Sequence, residues 1–198
     1  AADVDESLRA GETPGDYVLR LAVTKARALA NQAGAGQLIV AADTSVVADG
    51  EVLGKPVDAD EARQMLRRLR GRVHQVYTAV AVYAPGRERL ETDLCVTDVR
   101  MRPYSDAEIE AYIASGDPLD KAGAYAIQHP GFHPVQEIRG CYDCVVGLPL
   151  AHLARTLQRF GVELPREFSE PCHDRYMDAD RAGQTLFLNN TTTGSHRP

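Results

Sequence analysis

The chain has 198 residues, 44% of them hydrophobic, and a formal net charge of -6 from 22 Lys and Arg against 28 Asp and Glu. That is enough to bury one full core, with a single domain as the default, and it leaves no basic footprint for nucleic acid or an anionic membrane. There is no apolar run long enough to span a bilayer and no signal peptide at the start, while four cysteines in a chain of this length do not read as a disulfide framework and favour a reducing cytoplasm.

Any anionic ligand must therefore be met by local positive charge. The opening Ala1-Ala2-Asp3-Val4-Asp5-Glu6-Ser7 is an acidic cluster. It reads as a flexible end or as the source of an oxygen ligand for a hard cation. Thr13-Pro14-Gly15-Asp16 predicts a helix start, with Thr13 as cap, Pro14 in the first position and Asp16 at the positive end. Tyr17, Val18, Leu21, Ala22, Ala28 and Leu29 recur at helical spacing, and Gly34-Ala35-Gly36 ends the element. Lys25 follows Leu21 at i+4, so its stem covers the core or its ammonium is held in a cleft for a phosphate.

Residues 38–56 organise the chain. Leu38-Ile39-Val40-Ala41-Ala42 reads as a buried strand that presents a carboxylate, Asp43, where it leaves the core. Asp49-Gly50 signals a hairpin, and the return arm ends in Gly54-Lys55-Pro56, which brings Lys55 back beside Asp43. A carboxylate at a strand mouth with a lysine beside it suits a metal and a polyphosphate; a solvated strand end with a surface lysine fits equally well.

Asp58-Ala59-Asp60-Glu61 predicts a capping box for a helix through Met65, Leu66 and Leu69, closed by Gly71. Its arginines, Arg63, Arg67, Arg68, Arg70 and Arg72, come without interleaved aromatics, so they read as a solvated face paired with nearby acids rather than a nucleic-acid site. Residues 73–83 and 89–100 read as two long strands of an antiparallel arm joined at Ala84-Pro85-Gly86-Arg87, with His74 as a structural histidine. Ser105-Asp106-Ala107-Glu108 is a second capping box, opening a short helix that stops at Gly116. Residues 121–125 hold a lysine and small residues that let backbone approach a ligand closely, or form a loop running into a buried strand.

Cys141-Tyr142-Asp143-Cys144 is a lone C-x-x-C, a weak zinc or redox signal that Cys172-His173 would complete only if the tail folded back. A last helix carries Leu150, Leu153, Leu157 and Phe160 and ends at Gly161. The apolar periodicity then fails, so residues 1–165 are taken as the domain and residues 166–198 as a polar, disordered tail.

Ala41-Ala42-Asp43-Thr44, Gly54-Lys55-Pro56, His74-Gln75-Val76-Tyr77-Thr78-Ala79-Val80, Asp120-Lys121-Ala122-Gly123-Ala124-Tyr125-Ala126-Ile127-Gln128 and Val145-Val146-Gly147-Leu148-Pro149 together resemble the Maf family in order and spacing. The resemblance implies an α/β fold with a long mixed β-sheet flanked by helices and a central cleft between two lobes. It implies a cytoplasmic nucleoside triphosphate pyrophosphatase that cleaves between the α- and β-phosphates with a divalent metal, Mg²⁺ or Mn²⁺, and it allows a homodimer. Carried over by residue, it makes Asp43 the general base, Glu6 and Asp43 the metal ligands, and Lys25, Lys55 and Lys121 the phosphate-facing lysines. Thr44 and Gln128 match the positions of the subgroup that prefers dTTP and UTP over 7-methyl-GTP. The chemistry agrees: metal and lysines neutralise the triphosphate and an oriented carboxylate takes the proton from water.

The family's opening strand and Ser-x-Ser-Pro-Arg-Arg loop have no counterpart, because the chain starts after the point where they would lie. The expectation is an N-terminally incomplete domain with an unpaired sheet edge and part of its phosphate cradle missing. The leading reading is a dTTP and UTP pyrophosphatase. The alternatives are the 7-methyl-GTP subgroup and a non-catalytic nucleotide-binding remnant. A haloacid-dehalogenase-type phosphatase would need a second aspartate where Ser45 sits.

Overall fold

The computed structural model describes residues 4–34 and 36–165. Asp3, Ala35, Cys172-His173 and the tail expected over residues 166–198 lie outside the described residues.

Helix α1 (Pro14–Ala28) starts as its sequence dictates, the Thr13 hydroxyl accepting the Asp16 N–H at 3.2 Å with Pro14 in the first turn. It ends well before Gly34, at Leu29, and a 3₁₀ turn, Ala30–Gln32, carries the chain on. Strands β1 (Ile39–Ala48) and β2 (Glu51–Leu53) form the expected hairpin, with Asp49 and Gly50 both left-handed at φ 54° and 81°, the tight turn whose twist matches the strands. In α2 (Ala59–Leu69) Asp58 caps the Glu61 N–H at 2.8 Å, but the Glu61 carboxylate accepts the Val57 N–H at 2.7 Å rather than that of Asp58. The expected capping box is thus displaced by one residue. The arginines of α2 do meet acids, Arg68 on Glu51 at 2.7 Å and Arg67 and Arg70 both on Asp106 at 2.8 and 2.7 Å.

Strands β3 (Val73–Ala84) and β4 (Arg89–Met101) make the long antiparallel arm. Helix α3 (Asp106–Ala114) has a full Ser105/Glu108 capping box. Residues 121–125 run through a 3₁₀ turn, Ala122–Ala124, and not into a strand. Strand β5 (Val135–Arg139), which no periodicity announced, pairs with β4. A single helical turn, α4 (Tyr142–Val145), precedes α5 (Leu150–Arg159).

The sheet order is β2-β1-β3-β4-β5. The α/β class with a long sheet flanked by helices stands, but all four pairings are antiparallel, so among the described residues the sheet is not mixed. Short turns joining β1 to β2 and β3 to β4 allow only antiparallel neighbours. The sheet divides the core in two. On one face α1 packs Tyr17, Val18, Leu21 and Ala22 against Ile39, Ala79 and Ala81. On the other, Leu66, Leu69, Val76, Val99, Tyr112 and Ile138 pack together. Leu21 at 1% exposure, with Leu66 and Ile138 at 0%, each contribute about 1.5–3 kcal/mol of burial. Pairing between β1 and β2 begins only at Val46. Residues 39–45 of β1 therefore have β3 on one side and, among the described residues, an open edge on the other.

Candidate functional site

The α1 face carries an acid–lysine–acid cluster. The N-terminal segment is tied along α1: the Tyr17 hydroxyl donates to the Glu6 carbonyl at 2.7 Å, and the Arg20 guanidinium donates to the Ser7 carbonyl at 2.9 Å and to the Glu12 carboxylate at 2.6 and 2.8 Å. So held, Glu6 Oε1 lies 2.7 Å from Lys25 Nζ, which donates to Asp43 Oδ1 at 2.6 Å. Asp43 is buried, at 8% exposure. Burial pushes its carboxyl above the usual aspartate range, against the pull of the Lys25 hydrogen bond and charge and the more distant charge of Lys55. Burial also disfavours the Lys25 ammonium, but two carboxylates outweigh it and hold the lysine above its ordinary value. The raised Asp43 is a better proton acceptor than a solvated aspartate, and it is engaged by Lys25.

The other face carries a cleft of ≈ 350 Å³ whose lining includes Thr44, Lys55, Lys121, Tyr125, Gln128 and Gly147. Carried past Leu53, the hairpin register brings Lys55 level with Thr44 rather than Asp43. Lys121 arrives from a loop docked on the hairpin: the Gly123 N–H donates to the Gly54 carbonyl at 3.0 Å, and Gly123 is left-handed at φ 68°. A Cβ at Gly123 would lie 2.8 Å from Val46 Cγ1, so only glycine lets the loop come this close. Tyr112 braces the same loop, its hydroxyl donating to Asp117 Oδ2 at 2.6 Å and accepting the Ala126 N–H at 2.9 Å. The Lys121 ammonium bonds Asp120 and lies 3.6 Å from Asp117 Oδ1. These carboxylates, Asp120 first, hold it above the usual lysine range. Gln128 is exposed at the rim.

The residues singled out from the sequence thus form two groups: Glu6, Lys25 and Asp43 on the α1 face, and Thr44, Lys55, Lys121 and Gln128 around the cleft. The open edge of β1 lies between them. Two further residues matter that the sequence reading did not single out. Thr78, cross-strand from Thr44, bonds its hydroxyl at 2.9 Å. Gly147 keeps that hydroxyl open to the cleft, since a Cβ there would lie 3.4 Å from Thr44 Oγ1. The signals for Thr78 were its place in the His74–Val80 motif and a hydroxyl within the largely apolar run of β3. Cys95, Cys141 and Cys144 are buried and, among the described residues, form no disulfide. Among the described residues no group of three or more His, Cys, Asp or Glu is placed to hold a metal, and no helix is long and apolar enough to cross a membrane.

Fold and site together define an α/β protein with ammonium groups gathered around a recess of small-ligand size, chemistry suited to a compact polyanion. The family model described as Maf-like protein matches residues 1–160. The chain belongs to the Maf family. It is 53% identical over 168 residues to a dTTP/UTP pyrophosphatase of Anaeromyxobacter dehalogenans (strain 2CP-1 / ATCC BAA-258), covering 84% of each chain. It is 49% identical over 161 residues to the protein of that name in Geotalea uraniireducens (strain Rf4), covering 81% of this chain and 82% of the relative. A dTTP/UTP pyrophosphatase of Chromobacterium violaceum is 49% identical over 168 residues, covering 83% and 84%.

Proposed function

We propose that this protein hydrolyses nucleoside triphosphates, dTTP and UTP foremost, between the α- and β-phosphates to the monophosphate and pyrophosphate, with residues 1–165 as the working unit. The observation that carries the reading is the placement of the Glu6–Lys25–Asp43 cluster across a strand edge from a cleft lined by Lys55 and Lys121. The substrate follows from relatives 49–53% identical that are named for dTTP and UTP.

In this mechanism Lys55 and Lys121 hold the phosphates and Thr44 and Gln128 face the base. Phosphate oxygens compete with Asp43 for the Lys25 ammonium, which frees the carboxylate to take a proton from water. The water oxygen bonds to the α-phosphorus, the bond from that phosphorus to the bridging oxygen breaks, and pyrophosphate leaves with the electron pair. Base catalysis of this kind is worth roughly 10²–10⁴ in rate. Glu6 and Asp43 converge on one ammonium, at 2.7 and 2.6 Å. Such a pair fits Mg²⁺ or Mn²⁺, which take one or two carboxylates and fill their remaining positions with substrate phosphates and water. Glu6 and Asp43 would hold such a cation, which would neutralise phosphate charge.

The test is pyrophosphate release from dTTP, UTP, CTP and 7-methyl-GTP with Mg²⁺ or Mn²⁺. Fastest release from dTTP and UTP supports the reading. Fastest release from 7-methyl-GTP reassigns the subgroup, and calorimetric binding of dTTP without release marks a non-catalytic nucleotide-binding domain.

A further inference from the structure

The hydrogen-bond polarity around Thr44 is decided by a residue that does not line the cleft. Thr78 Oγ1 lies 2.7 Å from the carbonyl of Cys144, and it is fully buried at 0% exposure. A carbonyl only accepts, so the one hydroxyl proton of Thr78 is spent on Cys144. The second contact of Thr78, at 2.9 Å to Thr44 Oγ1, must then be one in which Thr44 donates. The one hydroxyl proton of Thr44 is therefore turned inward, and what Thr44 offers the cleft is lone pairs alone. The geometry is fixed at both ends. Thr44 and Thr78 are directly opposed in the β1–β3 register, and the Cys144 carbonyl is further held by the Gly147 N–H at 3.1 Å.

We infer that Thr78 is a positioning residue that sets Thr44 as a pure acceptor, so that the cleft selects pyrimidine bases carrying a ring N–H donor. Uracil and thymine carry an imide N–H at ring position 3; cytosine carries a lone pair there, which meets the lone pairs of Thr44 and is disfavoured. The inference rests on the proposed function, because it takes the base to face Thr44. It assigns base choice to the proton order Thr44 to Thr78 to Cys144 rather than to the shape of the recess.

The experiment compares kcat/KM for UTP and CTP in the wild type, Thr78→Val and Thr78→Ser, with thermal melting of each. Thr78→Val releases the Thr44 proton, and the UTP-to-CTP ratio is expected to fall on the order of tenfold, the scale of one net hydrogen bond. Thr78→Ser keeps both bonds and restores the ratio. A purely structural role would lower both substrates together and leave the ratio unmoved, which overturns the inference. Where Thr78→Val does not fold, calorimetry on the wild type decides: 3-methyl-UTP, which lacks the N–H, must bind on the order of tenfold more weakly than UTP, and equal binding overturns the inference. Wild type that neither turns over nor binds UTP overturns the proposed function itself, a result distinct from turnover with an unchanged ratio.

Discussion

Asp43 and Thr44 are consecutive on β1, and they work on opposite faces of the sheet: Asp43 accepts from Lys25 at 2.6 Å on the α1 side, and Thr44 meets Thr78 at 2.9 Å on the cleft side. Strand alternation requires this of any adjacent pair. A ligand that uses both side chains must cross the edge of β1, and that edge is open along residues 39–45 among the described residues.

Asp43→Asn keeps the shape and removes the charge. Pyrophosphate release is expected to fall by roughly 10²–10⁴, with a small change in the urea midpoint because Lys25 retains Glu6 at 2.7 Å. Because burial raises the Asp43 carboxyl from its ordinary 3.8, the acid limb of the wild-type kcat/KM profile should lie above that value. Lys25→Met leaves the Asp43 carboxylate buried without its ammonium. Its cost is expected at about 2–4 kcal/mol, toward the low end of a broken buried pair because Lys25 is 24% exposed. Urea unfolding of the two variants checks this; an Asp43→Asn protein destabilised as much as Lys25→Met would contradict it.

Gly123→Ala forces a methyl into Val46 and puts a side chain at φ 68°. The left-handed backbone costs about 1 kcal/mol and the overpacking about 1–3 kcal/mol. Since Gly123 docks the Lys121 loop on Gly54, KM for UTP should rise as the melting temperature falls. Gly86→Ala is the control, since a Cβ there meets nothing within 4 Å and no left-handed φ is involved.

His74 sets a pH dependence of stability. It is buried at 3% exposure, with Nε2 2.8 Å from the Tyr125 hydroxyl and Nδ1 without a partner among the described residues. Burial pulls it from 6.5 down to about 4, against the opposing charge of Asp98. As pH falls below about 6.5 the unfolded chain takes up a proton that the folded chain refuses. Stability is therefore whole above that pH and erodes toward pH 4, by about 3 kcal/mol in all. Urea midpoints compared between wild type and His74→Gln should converge as the pH is lowered; parallel curves would refute the assignment.

Chelation tests the carboxylate pair. Dialysis against EDTA should abolish pyrophosphate release, and Mg²⁺ or Mn²⁺ should restore it. Glu6→Gln should raise the metal concentration needed for half-maximal rate on the order of tenfold, the equivalent of ~1.4 kcal/mol. Activity that survives EDTA would remove the metal from the mechanism.

What was legible in the sequence was local. Thr13, Asp58 and Ser105 cap the helices they were expected to cap, because a cap is settled within four residues of chain. Asp49-Gly50 made its hairpin, because left-handed backbone at both positions suits those residue types. The motifs around Asp43, Lys55 and Lys121 were legible as a family pattern. Only the tertiary structure decided how those pieces face one another. Strand β5 has just five residues and is held by β4, so nothing in its own pattern distinguishes it from loop. The opposition of Thr44 to Thr78 follows from register. Register is a property of two strands thirty-odd residues apart, set by which faces bury together. No single stretch of chain contains it.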